Sequence, residues 1–264
     1  MTGLTDASIA TAASTLWEHW RANTRLEAIP ADCRPSNRAE GYAIAAALAA
    51  QSGQPVIGWK IAATSEAGQR HINVEGPLAG RLLRDRVKAA GAALPLGDNI
   101  MNVAEAEFAF GFGRTLPSRG AAYSQAEVLD AVDSLHLSIE IPDSRYSDFT
   151  KVGAAQIIAD TACASWLVTQ KSTFTDWRDL DLAVYPVILH LNGSEAVRGT
   201  GKAALGDPRA ALTWLVNEVS IHAAGIKTGD IVTTGTCVIP AKIKRGDRLT
   251  VDYGRLGTLS ASIT

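Results

Sequence analysis

The segment Val103 to Phe112, VAEAEFAFGF, sets two carboxylates two residues apart inside an otherwise apolar run. Side chains alternate across a strand, so Glu105 and Glu107 share one face while Ala104, Ala106 and Phe108 line the other. Like charges held side by side in apolar surroundings repel and lose hydration. Any fold that includes this strand must therefore give them water, a cation or a raised pKa. An isolated Glu-x-Glu is satisfied by a solvated acidic face as well as by a shared ion, and both readings stand at this point.

A third carboxylate extends the pattern. In Leu137 to Ile141 the apolar residues 137, 139 and 141 alternate with Ser138 and Glu140, so Glu140 projects opposite a buried face. Pro142, Asp143, Ser144 and Arg145 follow and end the strand in a polar turn. Three oxygen-only ligands suit a hard ion such as Mg²⁺ or Mn²⁺ and suit zinc poorly, since no His or Cys stands beside them. Lys60 is the other anomaly, a lysine inside the apolar run Ile57-Gly58-Trp59-Lys60-Ile61-Ala62-Ala63. It either snorkels from a sheet edge or is buried with its pKa lowered, the second form being suited to acid–base work.

Other chemistries find little support. Net charge is −2, from 25 basic and 27 acidic residues, with no basic stripe for a phosphate backbone, so nucleic acid is not an expected partner. Cys33, Cys163 and Cys237 are odd in number and widely spaced, which excludes a disulfide framework and zinc spacing. The five histidines make no HxxxH, and Gly111-Phe112-Gly113 lacks the third glycine of a dinucleotide loop. The N-terminus has no basic and apolar leader, and the longest helical apolar run, Ala43 to Ala50, is far short of the ~20 residues of a membrane span. A cytoplasmic protein with no membrane contact is expected.

With 264 residues, 47% apolar and 20% charged, the chain has room for one large or two small globular domains. Ile9, Ala12, Ala13, Leu16, Trp17 and Trp20 fall on one helical face, with Asp6 as the expected N-cap. A second, Ala-rich helix starts at Ser36 or Asn37 and stops at Gly53. Beyond it come the strand candidates VIGWKIAAT, EAEFAFGF and LHLSIEI. SQAEVLDAV is expected as a helix capped by Ser124 and Glu127. AAQIIADTACASWLVTQ reads as a buried helix, YPVILHLNGSEAVRG as a hairpin turning at Asn192-Gly193, and Asp207-Pro208 as a helix start. Three further strands, IVTTGTCV, RLTVDYG and TLSASIT, complete the chain. The organisation expected is a helical region over 1–54 and a β-rich catalytic part over 55–264, forming one structural unit.

Gly58-Trp59-Lys60-Ile61 with Thr64-Ser65, then Glu105-Ala106-Glu107-Phe108-Ala109-Phe110, then Ile139-Glu140-Ile141-Pro142-Asp143-Ser144-Arg145, stand in an order that resembles the 2-keto-4-pentenoate hydratase and 4-oxalocrotonate decarboxylase group of the fumarylacetoacetate hydrolase superfamily. The likeness continues through Ala159-Asp160, Asn192-Gly193, Leu205-Gly206-Asp207-Pro208, Gly229-Asp230-Ile231-Val232 and Val251-Asp252-Tyr253-Gly254, nearly the whole chain. It implies an α+β fold of the fumarylacetoacetate hydrolase type, with a mixed β-sheet and a small helical N-terminal part. It implies a divalent ion, Mg²⁺ or Mn²⁺, on Glu105, Glu107 and Glu140. Lys60 would be the catalytic group, with Asp160, Thr161 and Thr236 at the substrate. The implied substrates are small 2-hydroxy-dienoates or 2-oxo-enoates from aromatic meta-cleavage. The implied assembly is a homo-oligomer, and a partner enzyme of the same pathway is a further candidate.

Hydration of a 2-hydroxy-2,4-dienoate is the first expectation because it dominates the group. A 4-oxalocrotonate-type decarboxylase follows, then a C–C hydrolase or a non-catalytic member of the superfamily. Many relatives carry a Pro-Asp-Phe-Gly or a tyrosine-bearing version where this chain reads Pro77-Leu78-Ala79-Gly80, and Asp-Asn-Ala-Ser where it reads Asp160-Thr161-Ala162-Cys163. Thr236-Cys237-Val238 likewise replaces a hydroxyl-rich run.

Overall fold

The structure, a computed structural model, describes residues 3–264. Two helices come first, α1 (Asp6–Ala22) and α2 (Arg38–Ser52). The N-cap of α1 is Thr5 and not the expected Asp6: the Thr5 hydroxyl accepts from the Ser8 N–H, and Asp6 takes the first helical position, where its charge suits the helix dipole. Asn37 caps α2 and Gly53 ends it at φ 66°. The expected 54/55 boundary falls between α2 and the first strand. Ala12, Ala13, Leu16, Trp20, Ile44 and Leu48 form an apolar cluster that also takes in Leu83, Tyr146 and Ala159 from the rest of the chain.

The strands and the remaining helices follow in sequence. β1 (Val56–Ala62), α3 (Glu66–His71), β2 (Leu78–Leu83), β3 (Val87–Lys88), β4 (Ala92–Leu94), β5 (Val103–Phe112) and β6 (Leu116–Pro117) make the first half. Next come α4 (Gln125–Ala131), β7 (Val132–Ile141), α5 (Ala154–Ala159), β8 (Trp166–Lys171), β9 (Pro186–Leu191) and β10 (Ser194–Thr200). The chain finishes with α6 (Pro208–His222), β11 (Gly225–Ile226), β12 (Ile231–Thr236), β13 (Ala241–Lys242), β14 (Arg248–Asp252) and β15 (Thr258–Ile263).

These strands form a mixed sheet in the order β2-β1-β12-β5-β7-β8-β3, with β13 also pairing β5. A second sheet, β10-β9-β14-β15-β4, packs against it, and β11 pairs with β6. Phe108 of β5 meets Tyr253 and Tyr185 between the sheets, with ring centroids 5.5 and 6.2 Å apart. The α+β mixed-sheet architecture with a helical N-terminal part is the one expected from the sequence.

Several local signals act as their chemistry dictates. Ser124 and Glu127 close a capping box on α4. Asn192 and Gly193 take φ 53° and 86°, the two positive values that a two-residue turn between β9 and β10 requires. The segment after Lys151 is a correction. Its helix ends at Ala159, Thr161, Ala162 and Cys163 all adopt positive φ, and Trp166–Lys171 is a strand paired with β7. Helical periodicity alone does not see the cross-strand partner that claims those last residues. Among the described residues no helix is long and apolar enough to cross a membrane.

Candidate metal and acid–base site

Strand β5 lies between β12 and β7, and its register decides where its charges go. Glu105 pairs with Glu140, and Glu107 pairs with Ser138 on one side and Thr236 on the other. The opposite face of β5 carries Ala104, Ala106, Phe108 and Phe110, all fully buried in the core. Glu105, Glu107 and Glu140 each offer an oxygen within 4.8 Å of the others. The solvated acidic face is thereby excluded, since Glu107 and Glu140 are 0% and 1% exposed.

Lys60 arrives from β1, separated from β7 by β12 and β5. Three strand spacings make about 14 Å of flat sheet, so its ion pair with Glu140, Nζ to Oε1 at 2.9 Å, marks this face as concave. Lys60 is 2% exposed and lies on an interior strand, so it does not snorkel. Its second partner is the Ala162 carbonyl, which accepts from Nζ at 3.0 Å.

Burial opposes charge on all four groups. It pushes the Glu105 carboxyl up to about 7, with Glu140 adding to the rise and Lys60 working against it. Glu107 and Glu140 are raised for the same first reason. Of the two readings of Lys60 the buried one holds, but without the lowered pKa attached to it. Burial does pull it down, but Glu140, Glu105 and Glu107 together more than reverse that and hold it above the ordinary lysine value. Lys60 is therefore an ammonium in this cluster.

Oxygen atoms left without partners show what the cluster lacks. Glu107 Oε1 and Glu140 Oε2 are buried and make no hydrogen bond, while Glu107 Oε2 accepts only the Gly235 N–H, at 3.1 Å. Buried carboxylate oxygens are stable only when paired or coordinated. An all-oxygen set of this kind fits a hard divalent cation in size and chemistry. Gly235 is required where it stands: its φ is 92°, and a Cβ there would lie 2.4 Å from Thr64 Oγ1.

A cavity of about 800 Å³ opens over this cluster, with Lys60, Glu105, Cys163 and Thr236 on its wall. Thr64, Ser65 and His71 line one side, and Ile100, Met101, Phe149, Val238 and Ile239 make much of the rest apolar. Thr236 is turned partly to its own loop, its hydroxyl donating to the Val238 carbonyl at 2.8 Å. Asp160 and Thr161 do not line the cavity. Asp160 is fully buried and bound by Arg145 and Ser144. Leu78 is also fully buried and brings no titratable group to the site.

Burial pushes the Cys163 thiol up to about 12, with Asp160 adding to the rise, so no thiolate nucleophile faces the cavity there. His19 sits on α1 against Thr24, and His71 forms no ion pair with a carboxylate among the described residues. No His–Glu pair for water activation is therefore assembled from these two. The Gly235 N–H and the Ala162 carbonyl were beyond sequence reasoning because main-chain atoms carry no residue signature. Gly235 itself, beside the strand residue that faces Glu107, was the one available hint.

Residues 87–264 match the family model described as fumarylacetoacetate (FAA) hydrolase C-terminal. The chain is 33% identical over 215 residues to 2-hydroxyhexa-2,4-dienoate hydratase of Comamonas testosteroni, covering 81% of this chain and 80% of that one. It is 30% identical over 209 residues to 4-oxalocrotonate decarboxylase of Pseudomonas sp. strain CF600, covering 79% and 78%. Among solved structures it is similar to 4-oxalocrotonate decarboxylase from Pseudomonas putida G7 complexed with magnesium and adipate. That likeness has a TM-score of 0.89 and 24% identity, with both chains fully covered.

Proposed function

The chain belongs to the fumarylacetoacetate hydrolase family, and on that premise we propose that it is a metal-dependent hydro-lyase that hydrates a 2-hydroxy-2,4-dienoate to a 4-hydroxy-2-oxo acid. The observation that carries this reading is the convergence of Glu105, Glu107 and Glu140, the last two buried, with Lys60 beside them and with Lys60 and Glu105 on the wall of one cavity. The three glutamates would hold Mg²⁺ or Mn²⁺, which supplies Lewis-acid polarisation of the substrate's 2-oxygen when bound.

The chain's own residues do the rest. Lys60, an ammonium held by Glu140 and the Ala162 carbonyl, gives a proton to the terminal carbon of the dienol as the 2-hydroxyl becomes a ketone. The 2-hydroxyl proton restores the lysine, and the resulting 2-oxo-3-enoate takes water across its double bond, the hydroxyl at C4 and the proton at C3. One water is consumed overall. The apolar wall at Ile100, Met101 and Phe149 limits solvent around the conjugated chain.

A second reading has a specific observation behind it. Water addition calls for a base, and among the described residues neither His19 nor His71 pairs with a carboxylate and position 78 is a leucine, so none of these shares that work with Lys60. Loss of CO₂ from a 4-oxalocrotonate needs no activated water, and a decarboxylase is among the similar relatives. The experiment is an ultraviolet assay on C5 to C7 dienols and on 4-oxalocrotonate, with Mg²⁺ or with chelator, and with product identification. Metal-dependent formation of the 4-hydroxy-2-oxo acid supports hydration. CO₂ release from 4-oxalocrotonate with no hydration replaces it with the second reading, and no turnover of any compound refutes both.

A further inference from the structure

The motif Asp143-Ser144-Arg145 and the buried Asp160 have no part in the chemistry described so far, yet they converge on three consecutive residues in an unusual backbone state. Thr161, Ala162 and Cys163 have φ of 50°, 51° and 62°. L residues enter this left-handed region only at a steric cost, and runs of them persist only where surrounding contacts over-determine them.

Here the contacts come from one short segment. The Arg145 guanidinium pairs with the Asp160 carboxylate and donates to the Asp160 carbonyl at 2.6 Å and to the Ala164 carbonyl at 3.0 Å. The Arg145 N–H and the Ser144 hydroxyl both donate to Asp160 Oδ2 at 3.0 Å, and the Asp143 N–H donates to the Cys163 carbonyl at 3.0 Å. The run is thus fastened at its start, its end and the residue beyond.

The fastened run lies against the strand pair that carries Lys60. Gly80 is the register partner of Lys60, and a Cβ on it would stand 1.9 Å from the Thr161 carbonyl oxygen. In the middle of the run, the Ala162 carbonyl accepts the Lys60 ammonium. The other partner of that ammonium, Glu140, belongs to the carboxylate cluster and is shared with whatever the cluster binds. The carbonyl is the partner whose place the backbone alone fixes.

We propose that Arg145, paired with Asp160, is a positioning residue for Lys60: it holds the left-handed run so that the Ala162 carbonyl aims the ammonium at the substrate. The inference rests on the proton-transfer reading of Lys60. It also extends the site to the N-terminal helices, because the Trp20 ring of α1 covers the Arg145 guanidinium at 4.0 Å.

The test is a double-mutant cycle with Arg145→Met, Asp160→Asn and Lys60→Met, read with 2-hydroxypenta-2,4-dienoate and Mg²⁺. Asp160→Asn keeps the side-chain shape and weakens the clamp, and it carries the test if Arg145→Met does not fold. Each clamp variant should lower kcat by about tenfold to a hundredfold, the scale of a small misplacement of a reacting group. KM and Mg²⁺ affinity should stay within about threefold of wild type. Lys60→Met with Asp160→Asn should be no slower than Lys60→Met alone. In the metal-free protein, the ¹⁵N-ammonium resonance of Lys60, assigned by its loss in Lys60→Met, should shift or broaden in Asp160→Asn. Losses that multiply with Lys60→Met, a loss confined to KM or metal affinity, or an unmoved ammonium resonance would each overturn the proposal. A Lys60→Met enzyme with wild-type turnover would instead overturn the reading on which it rests.

Discussion

Replacing Glu107 by Gln separates metal binding from folding, because the two states of the protein should respond differently. Without metal, Glu107 is fully buried and its carboxyl is raised well above the ordinary value, first by burial and then by Glu140 and Glu105. Gln is close in shape to the protonated acid, and its side-chain oxygen can still accept the Gly235 N–H that Glu107 Oε2 accepts at 3.1 Å. The metal-free variant should therefore melt within about 2 °C of wild type, a shift of less than ~1 kcal/mol for a chain of this size. With Mg²⁺ at a hundred times its Kd, wild type gains about 2.7 kcal/mol by mass action, or roughly 5 to 10 °C. If losing one of three carboxylates weakens binding about tenfold to a hundredfold, the same Mg²⁺ concentration leaves the variant only about 0.4 to 1.4 kcal/mol. Thermal melts with Mg²⁺ and with chelator, alongside calorimetric titration, measure both states. A variant whose melting point rises with Mg²⁺ as much as wild type refutes the shared site. One that is severely destabilised without metal refutes the reasoning about its protonation.

The raised carboxylates give the metal-free protein a pH dependence of definite sign: folded Glu105 titrates at about 7 and Glu107 and Glu140 are also raised, so stability present below ~4.5 falls as pH climbs through the folded values. His136 is lowered by burial and contributes oppositely, so the check is urea unfolding of wild type against Glu105→Gln, where the variant should show the shallower fall between pH 4.5 and 7; equal slopes count against it. Gly235→Ala puts a Cβ 2.4 Å from Thr64 Oγ1 at φ 92°, so Mg²⁺ affinity should drop at least tenfold and stability by about 1–3 kcal/mol, as calorimetry and unfolding curves will read. A fragment over 56–264 bares Leu83, Tyr146 and Ala159 and takes Trp20 from Arg145, so it should be insoluble or inactive; a soluble fragment with full activity and an unchanged number of subunits by light scattering would show the helical region to be dispensable.

What was legible in the sequence follows a physical division. The alternation in Val103–Phe112 and Leu137–Ile141 is a local property, and it assigned Glu105, Glu107 and Glu140 to strand faces before any partner was known. The Asn192-Gly193 turn and the Ser124–Glu127 cap are equally local, since a few dihedrals and one or two hydrogen bonds decide them. The segment at 154–170 misled because its outcome is decided from afar. Arg145 fixes the residues after Ala159, and β7 takes Trp166–Lys171 into the sheet. The Lys60 charge state was hidden for the same reason. Burial alone lowers a lysine, and the three carboxylates that reverse it come from strands 45 or more positions away. The place of Asp160 at the substrate was implied only by the family resemblance, and the bonds of its carboxylate to Arg145 and Ser144 are long-range contacts that no local pattern announces.

Register is the step that joins the fold to the site. Glu105 opposes Glu140 only in the present pairing of β5 with β7. A slip of one residue would drive Glu105 and Glu107 into the core face now held by Ala104, Ala106 and Phe108. Two devices oppose that slip at the site itself. The Tyr253 hydroxyl lies 2.9 Å from both the Glu107 and the Ser138 carbonyl oxygens, and the Ser138 hydroxyl donates to the Glu107 carbonyl at 3.1 Å. Tyr253 comes from the segment after β14 of the second sheet, so the packing of the two sheets also locks the carboxylate register. Tyr253→Phe keeps the ring against Phe108 and removes only the bridging hydroxyl. Because the Glu107 carbonyl keeps the Ser138 hydroxyl, it should cost about 1 kcal/mol, the worth of one lost hydrogen bond, and loosen Mg²⁺ binding as well. Equal Mg²⁺ affinity in a clearly destabilised Tyr253→Phe protein would show that the carboxylates keep their alignment without that bridge, and that the register is held by the strands alone.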